Sequence, residues 1–321
     1  MTRSAELAKR AALLAIDLRL DALWARRLVF LSGLPSLPIA FPQTVGAVSY
    51  FTGTDGPHRK TAIQFMTGSG AILGYGKVTR NAEIAAYLSV EAKALDRVAR
   101  MQLKSAGTPQ LLGEGVANGA RWIATDSRRG KTTSVPNGLV PMHVAFVREL
   151  AARTKRSDDA ETIANMLALS AADADADWSR RFHRANALFS RWESDIETSF
   201  AHGDFTLWNS FIDSGGLYVF DWEYSRDGIP VGFDLVHLLL SRPTDMSAHD
   251  ENERVVAQLS EIHFTGHVQR ARHHYLLSLM AHASFYQDRQ IRVGAAASGW
   301  SNADLYARLI DAMLSDIGSE F

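Results

Sequence analysis

The sequence predicts an α+β protein, with antiparallel strands gathered in its first part and helices in its second. Three observations lead there. Between Thr44 and Val78, three runs rich in β-formers are separated by glycine turns, and Asn118-Gly119 marks a further hairpin. From Gly138 onward, apolar residues recur at helical spacing instead. A short hairpin breaks the helical pattern at Asn209–Asp221, where two apolar runs flank Ser214-Gly215-Gly216.

The 321 residues suffice for two domains, or one large one, with ample core. A hydrophobic content of 46% and a charged content of 21% are ordinary for a soluble globular chain. A net charge of −1 gives no electrostatic case for nucleic acid as a partner. The absence of cysteine excludes disulfides, thiolate metal sites and a cysteine nucleophile, and fits the cytoplasm. Glu6, Lys9, Arg10, Asp17 and Arg19 interrupt the apolar N-terminus, so neither a signal peptide nor a transmembrane segment is expected. Residues 1–42 read as amphipathic helices followed by the proline-punctuated connector Ser32–Pro42. They are free to pack on the next lobe, form a homodimer or touch a membrane surface.

In order, the strands are Thr44–Phe51, Thr61–Met66 and Ala71–Val78, with Gly53-Thr54-Asp55-Gly56-Pro57 in the first loop. Asn81 reads as the N-cap of the next helix, Glu83 falls in its first turn, and Ile84, Leu88, Ala92 and Leu95 form its stripe. Gln110–Ala117 and Ala120–Thr125 make the Asn-Gly hairpin. Helices follow at Val140–Thr154, Asp159–Ala172 and Trp178–Ser199, and after the second hairpin at about 252–263, 266–288 and 302–317. Asp234 stands just ahead of an apolar run, as a cap would. His273, His274 and His282 lack zinc-helix spacing and read as packing or acceptor-site residues.

The chemistry concentrates in His202–Glu223. Centring the hairpin on Gly215 sets Asn209 opposite Asp221, at the roughly 5 Å Cβ separation of cross-strand neighbours. An amide oxygen and a carboxylate there suit a hard cation. Asp204 lies five residues before Asn209 in a loop opened by Gly203, completing a set fit for metal-assisted phosphoryl transfer. The order His202-Gly203-Asp204, Asn209, Asp221-Trp222-Glu223 resembles the aminoglycoside phosphotransferase and choline kinase family. These are small-molecule relatives of protein kinases, which carry HRD-L-x-x-x-N and DFG. The resemblance spans roughly Thr44 to the end, and its specific motifs lie in Asp204–Asp221.

The resemblance implies a bilobal protein-kinase-like fold. Its N-lobe, 43–126, would hold five antiparallel strands and one main helix; its C-lobe, 127–321, would be mostly helical. Asp204 would be the catalytic residue that aims the acceptor hydroxyl and takes its proton. Asn209 and Asp221 would hold Mg²⁺, and Lys77 would bridge the α- and β-phosphates. Glu91, in preference to Glu83, would orient that lysine. Gly53 and Gly56 would lie over the phosphates, and Ala124 and Asp126 in the hinge that holds the base, while His202 and Asp234 would brace the catalytic loop. The donor would be ATP or GTP. Between Ser241 and Trp300 acids and arginines are equal in number, which suits a neutral sugar or polyhydroxy acceptor better than a polycationic antibiotic. Tyr275, Phe285 and Tyr286 are candidate faces for it, and Trp208 is expected to pack beneath the hairpin. A silent nucleotide-binding module and a kinase of a polysaccharide or other macromolecule are the alternatives.

Overall fold

A computed structural model describes residues 41–51, 60–157, 160–192, 196–242, 244–293 and 302–318. The N-terminal helices, Gly53 and Gly56 lie outside the described residues. Strands β1 (Ala47–Phe51), β2 (Thr61–Met66), β3 (Ile72–Thr79), β5 (Leu111–Ala117) and β6 (Ala120–Asp126) form one antiparallel sheet in the order β1-β2-β3-β6-β5. Helix α1 (Ala82–Met101) separates β3 from the short strand β4 (Ala106–Gly107). Asn81 caps it: its side-chain oxygen accepts the Glu83 and Ile84 N–H groups at 2.9 and 3.2 Å, satisfying two donors that a helix start leaves orphaned. Leu88 and Ala92 then pack on Ile123 of β6. The same face carries Glu91 inward, where it is only 3% exposed. A carboxylate so buried must find a cationic or hydrogen-bonding partner.

The rest is mostly helical: α2 (Pro141–Thr154), α3 (Ala160–Asp173), α4 (Ala176–Phe189), α5 (Phe233–Leu240), α6 (Ala248–His263), α7 (Val268–Val293) and α8 (Ala303–Gly318). Strand β7 (Thr198–Ala201) pairs with β10 (Arg226–Pro230), and β8 (Ser210–Asp213) with β9 (Gly216–Val219). Strand β4 adds to β9 in parallel, joining the connector after α1 to the hairpin. Helix α7 is apolar on most sides, with Tyr275, Leu276, Leu277, Leu279 and Met280 all fully buried; such a helix belongs in a core.

Four expectations need correction. The hairpin closes through two residues, Ser214 and Gly215, with Asp213 facing Gly216. The Asp213 side chain accepts the Gly215 N–H at 2.6 Å, an Asx turn that shortens the loop and slips the register by one residue. Asn209 therefore faces Phe220, whose N–H donates to its carbonyl at 3.1 Å. The helix expected through Ser199 ends at Phe189, and Thr198–Ala201 is extended because it pairs with β10. Trp208 is 57% exposed, whereas Trp222 is the indole in the core. Tyr275 is no acceptor face: it is sealed in α7 and donates to Asn252 at 2.9 Å.

Histidines set the acid limit of this fold. His143, His202, His274 and His282 are buried, and burial lowers each, His143 to about 4 and His274 to about 3. The unfolded chain binds protons below pH 6.5 that these folded groups refuse, so stability falls with acidification. Each contributes about 1.4 kcal/mol per pH unit until its own folded value is reached. Glu91, raised by burial to about 7, works in the opposite sense and offsets part of the loss. Urea unfolding is expected to show stability lower by several kcal/mol at pH 5 than at pH 7. Equal stability at both would contradict the neutral burial of these rings.

Candidate active site

The catalytic loop leaves β7 at His202 and turns sharply at Gly203. Gly203 has φ +88°, and a Cβ there would fall 2.0 Å from the Tyr224 carbonyl oxygen, so only glycine fits. Helix α5 holds the turn from beneath. Asp234 accepts the His202 and Gly203 N–H groups at 2.7 and 3.0 Å. The cap position of α5 is Gly232, so the Asp234 carboxylate serves the loop and not its own helix end. Burial raises its pKa, against the pull of His202 and those two N–H groups. His202 is buried; its Nε2 lies 3.0 Å from the Phe220 carbonyl and its Nδ1 accepts the Asp204 N–H at 3.3 Å. One nitrogen donates and the other accepts, which is a neutral ring, in keeping with the fall in pKa that burial causes.

Asp204 is held on both oxygens. Asn209 donates its amide N–H groups to Asp204 Oδ2 at 2.8 Å and to the Asp204 carbonyl at 2.9 Å. Asp204 Oδ1 lies 2.9 Å from Nε2 of His237. Asn209 itself sits in a 3₁₀ turn, Leu207–Asn209. Asp221 follows β9 with φ +69°, a left-handed conformation uncommon outside glycine that re-aims its side chain.

A second cluster joins the sheet to this hairpin. Lys77 of β3 donates to Glu91 at 2.6 Å and to Asp221 at 2.5 Å, with Glu223 at 3.6 Å. Lys60, one residue before β2, pairs with Glu223 and lies 4.0 Å from Asp221. Burial works to lower the Lys77 ammonium, but Asp221, Glu91 and Glu223 together hold it well above its usual value. Burial would raise Asp221, yet Lys77 and Lys60 override it and hold that carboxyl well below the usual range. Burial raises Glu91 in spite of Lys77, and the charges of Asp221 and Glu223 add to the rise. Helix α1 is fixed at this distance: Arg97 pairs with Asp227 and stacks over Phe200, 4.2 Å from its ring centre.

Sequence reasoning set Asp204 near Asn209, Asn209 opposite Asp221, and Lys77 with Glu91; the fold bonds Asn209 to Asp204, and Lys77 to Glu91 and also to Asp221. Ala124 lies fully buried in β6 between Gly76 and Gly113, and Asp126 ends that strand, accepting the Gln110 N–H at 2.7 Å. Three residues at the centre were missed as participants: Lys60, Glu223 and His237. A lone lysine carries no signal, but Glu223 stands in the quoted motif. His237 lies three residues after Asp234, on the same face of α5.

The donors present fit a hard divalent cation. Asp221 offers a carboxylate that is 30% exposed and Asn209 an amide oxygen; Glu91 and Glu223, whose oxygens lie within 4.8 Å of that of Asp221, are turned to the Lys77 and Lys60 ammonium groups. Few protein oxygens and a share left to water or phosphate is the pattern Mg²⁺ accepts.

The model of a phosphotransferase enzyme family, APH, matches residues 109–271, just over half of the chain. The chain belongs to that phosphotransferase family. It is a kinase, a phosphotransferase whose acceptors carry hydroxyl groups. Its fold is similar to that of a thermostable mutant of aminoglycoside phosphotransferase APH(4)-Ia, with TM-score 0.54 and 13% identity over 85% of this chain and 95% of the other. It is also similar to a protein assigned as a fructosamine-3-kinase from Haemophilus somnus, with TM-score 0.51 and 12% identity over 84% and 92%. Both likenesses establish the kinase-like fold. No curated protein matches the chain. Among the described residues, no helix is long and apolar enough to cross a membrane.

Proposed function

We propose that this enzyme transfers the γ-phosphoryl group of ATP or GTP to a hydroxyl of a small sugar-like or polyhydroxy compound. The observation that carries the reading is the Lys77 ammonium held between Glu91 and Asp221, with Asp204 and Asn209 paired on the adjoining loop. Lys77 holds the α- and β-phosphates and Glu91 keeps it aimed. Asp204 orients the acceptor hydroxyl; as its oxygen bonds to the γ-phosphorus and the bond to the β-phosphate bridge breaks, the carboxylate takes the proton. Asn209 and Asp221 would hold Mg²⁺, which when bound would supply charge neutralisation to the phosphate oxygens. Ala124 and Asp126 border the base. His202 and Asp234 hold the loop in register.

The surroundings of Asp204 favour an uncharged acceptor. Tyr286 is pushed up to about 12 by burial, with the Asp204 charge adding to the rise. Tyr224 packs edge-on to Phe285 at 5.2 Å, under the Arg289 guanidinium. Arg226 is stacked between Phe233 and Phe285. Aromatic faces and arginine donors grip hydroxyls; a polycation would require carboxylates there. Coupled nucleotide consumption over a panel of sugars, amino alcohols and aminoglycosides, with ATP and GTP, tests this. The expected result is turnover on a neutral polyhydroxy compound. Nucleotide binding without acceptor-stimulated consumption anywhere in the panel would contradict it.

A further inference from the structure

We propose that His237 is a positioning residue for phosphoryl transfer, a neutral imidazole whose Nε2–H donates to Asp204 and fixes the plane of its carboxylate. This rests on the phosphotransfer reading above. Helix α5 then does two things one turn apart: Asp234 holds the backbone of His202 and Gly203, and His237 holds the side chain of Asp204.

The tautomer follows from the surroundings. His237 Nδ1 is buried and has no hydrogen-bond partner. A protonated ring would place an N–H at that spot with nothing to receive it, and orphaned buried N–H groups are rarer than orphaned acceptors. The single proton therefore belongs on Nε2, 2.9 Å from Asp204 Oδ1. The flat face of the ring is locked as well. His237 stacks on His282 at 4.6 Å and 21°, and His282 stacks on Phe233 at 3.7 Å and 16°. Tyr306 meets His282 in a T-shaped contact at 5.6 Å. His282 is fully buried with its own Nε2 unpartnered, so it serves the stack as a neutral plate. A ring clamped this way cannot swing, and its donor direction is set before any acceptor arrives.

The consequence is geometric. Asn209 takes Oδ2 and His237 takes Oδ1, so the carboxylate cannot rotate, while each oxygen keeps a second lone pair for the acceptor hydroxyl. Asn209 also belongs to the proposed cation site; His237 serves Asp204 alone. During transfer the hydroxyl proton goes to Asp204, and His237 keeps its own.

Two measurements test this. Long-range ¹H–¹⁵N spectra at pH 7, with His237 assigned through His237→Gln, are expected to show a protonated Nε2 and a bare Nδ1. A doubly protonated ring, or a proton on Nδ1, would overturn the proposal whatever the activity. In kinetics, His237→Ala is expected to lower kcat about 10- to 100-fold, the scale of a mispositioned reacting group, with nucleotide affinity and acceptor KM within twofold. His237→Gln retains an amide donor and is expected to recover most of kcat. Unchanged kcat in His237→Ala, or equal losses in both variants at matched thermal stability, would overturn it. Wild-type chain that binds nucleotide but turns over nothing would count against the phosphotransfer reading itself, and the spectra would still decide the Nε2–H bond.

Discussion

Asp204→Ala is expected to lower kcat by about 10²- to 10⁴-fold, the range a positioned general base supplies, and to leave nucleotide affinity within twofold. The split follows from where the contacts go. Asp204 touches Asn209 and His237, whereas the groups proposed for the phosphates, Lys77, Glu91 and Asp221, hold one another. Truncation leaves the Asn209 amide and the His237 Nε2–H without that side-chain acceptor, so some loss of stability accompanies it. Asp204→Asn separates the two effects. It keeps the shape and one accepting oxygen but cannot take a proton, and its new N–H₂ group meets the donor of either Asn209 or His237, so its kcat should fall nearly as far while only part of the stability lost in Asp204→Ala returns. Isothermal titration with ATP and Mg²⁺, beside a phosphotransfer assay, measures both. Substantial turnover in either variant would remove Asp204 from the reaction.

Much of this site was legible because its parts lie close together in the chain. His202 to Asp221 spans one loop and one hairpin, and local turn chemistry brings Asp204 beside Asn209. The one-residue register error shows the limit. Turn length was judged from Ser214-Gly215-Gly216 as a block, and the Asx turn of Asp213 that shortens it is a side-chain choice. The Lys77–Glu91 pairing was reached through the family resemblance, with Glu83 set aside for its place at the helix start; in the structure Glu91 shares the inward face with Leu88, Ala92 and Leu95. Lys60 was out of reach, since nothing near it in sequence marks Glu223, 163 residues later. Trp208 was misplaced for a similar reason. Adjacent positions in a 3₁₀ turn point in different directions, and only the packing of Phe146 and Phe200 around Trp222 settles which indole is buried.

Removing the Lys77 charge should cost both stability and nucleotide binding, and the two losses are separable. In Lys77→Met, Glu91 and Glu223 stay buried beside Asp221, with Lys60 the nearest remaining ammonium. Deleting one partner of a buried ion pair typically destabilises by about 3–5 kcal/mol. Lys60 should hold this case to about 3 kcal/mol. The pH dependence carries the sign. Without the ammonium, burial and the neighbouring carboxylates raise Glu91 further above its unfolded value. The folded state then binds more protons than the unfolded one, and stability declines as pH rises through that interval. The loss in Lys77→Met relative to wild type should accordingly be largest above pH 7 and shrink toward pH 6, since both chains share the buried histidines and differ only at this cluster. Adding Glu91→Gln to Lys77→Met removes the most deeply buried charge and should restore much of the stability. It should restore none of the nucleotide affinity, because the phosphates still lack their cation. If Lys77→Met proved as stable as wild type at pH 8, the cluster would not be a buried ion network. If it bound ATP normally, the lysine would not be the phosphate ligand.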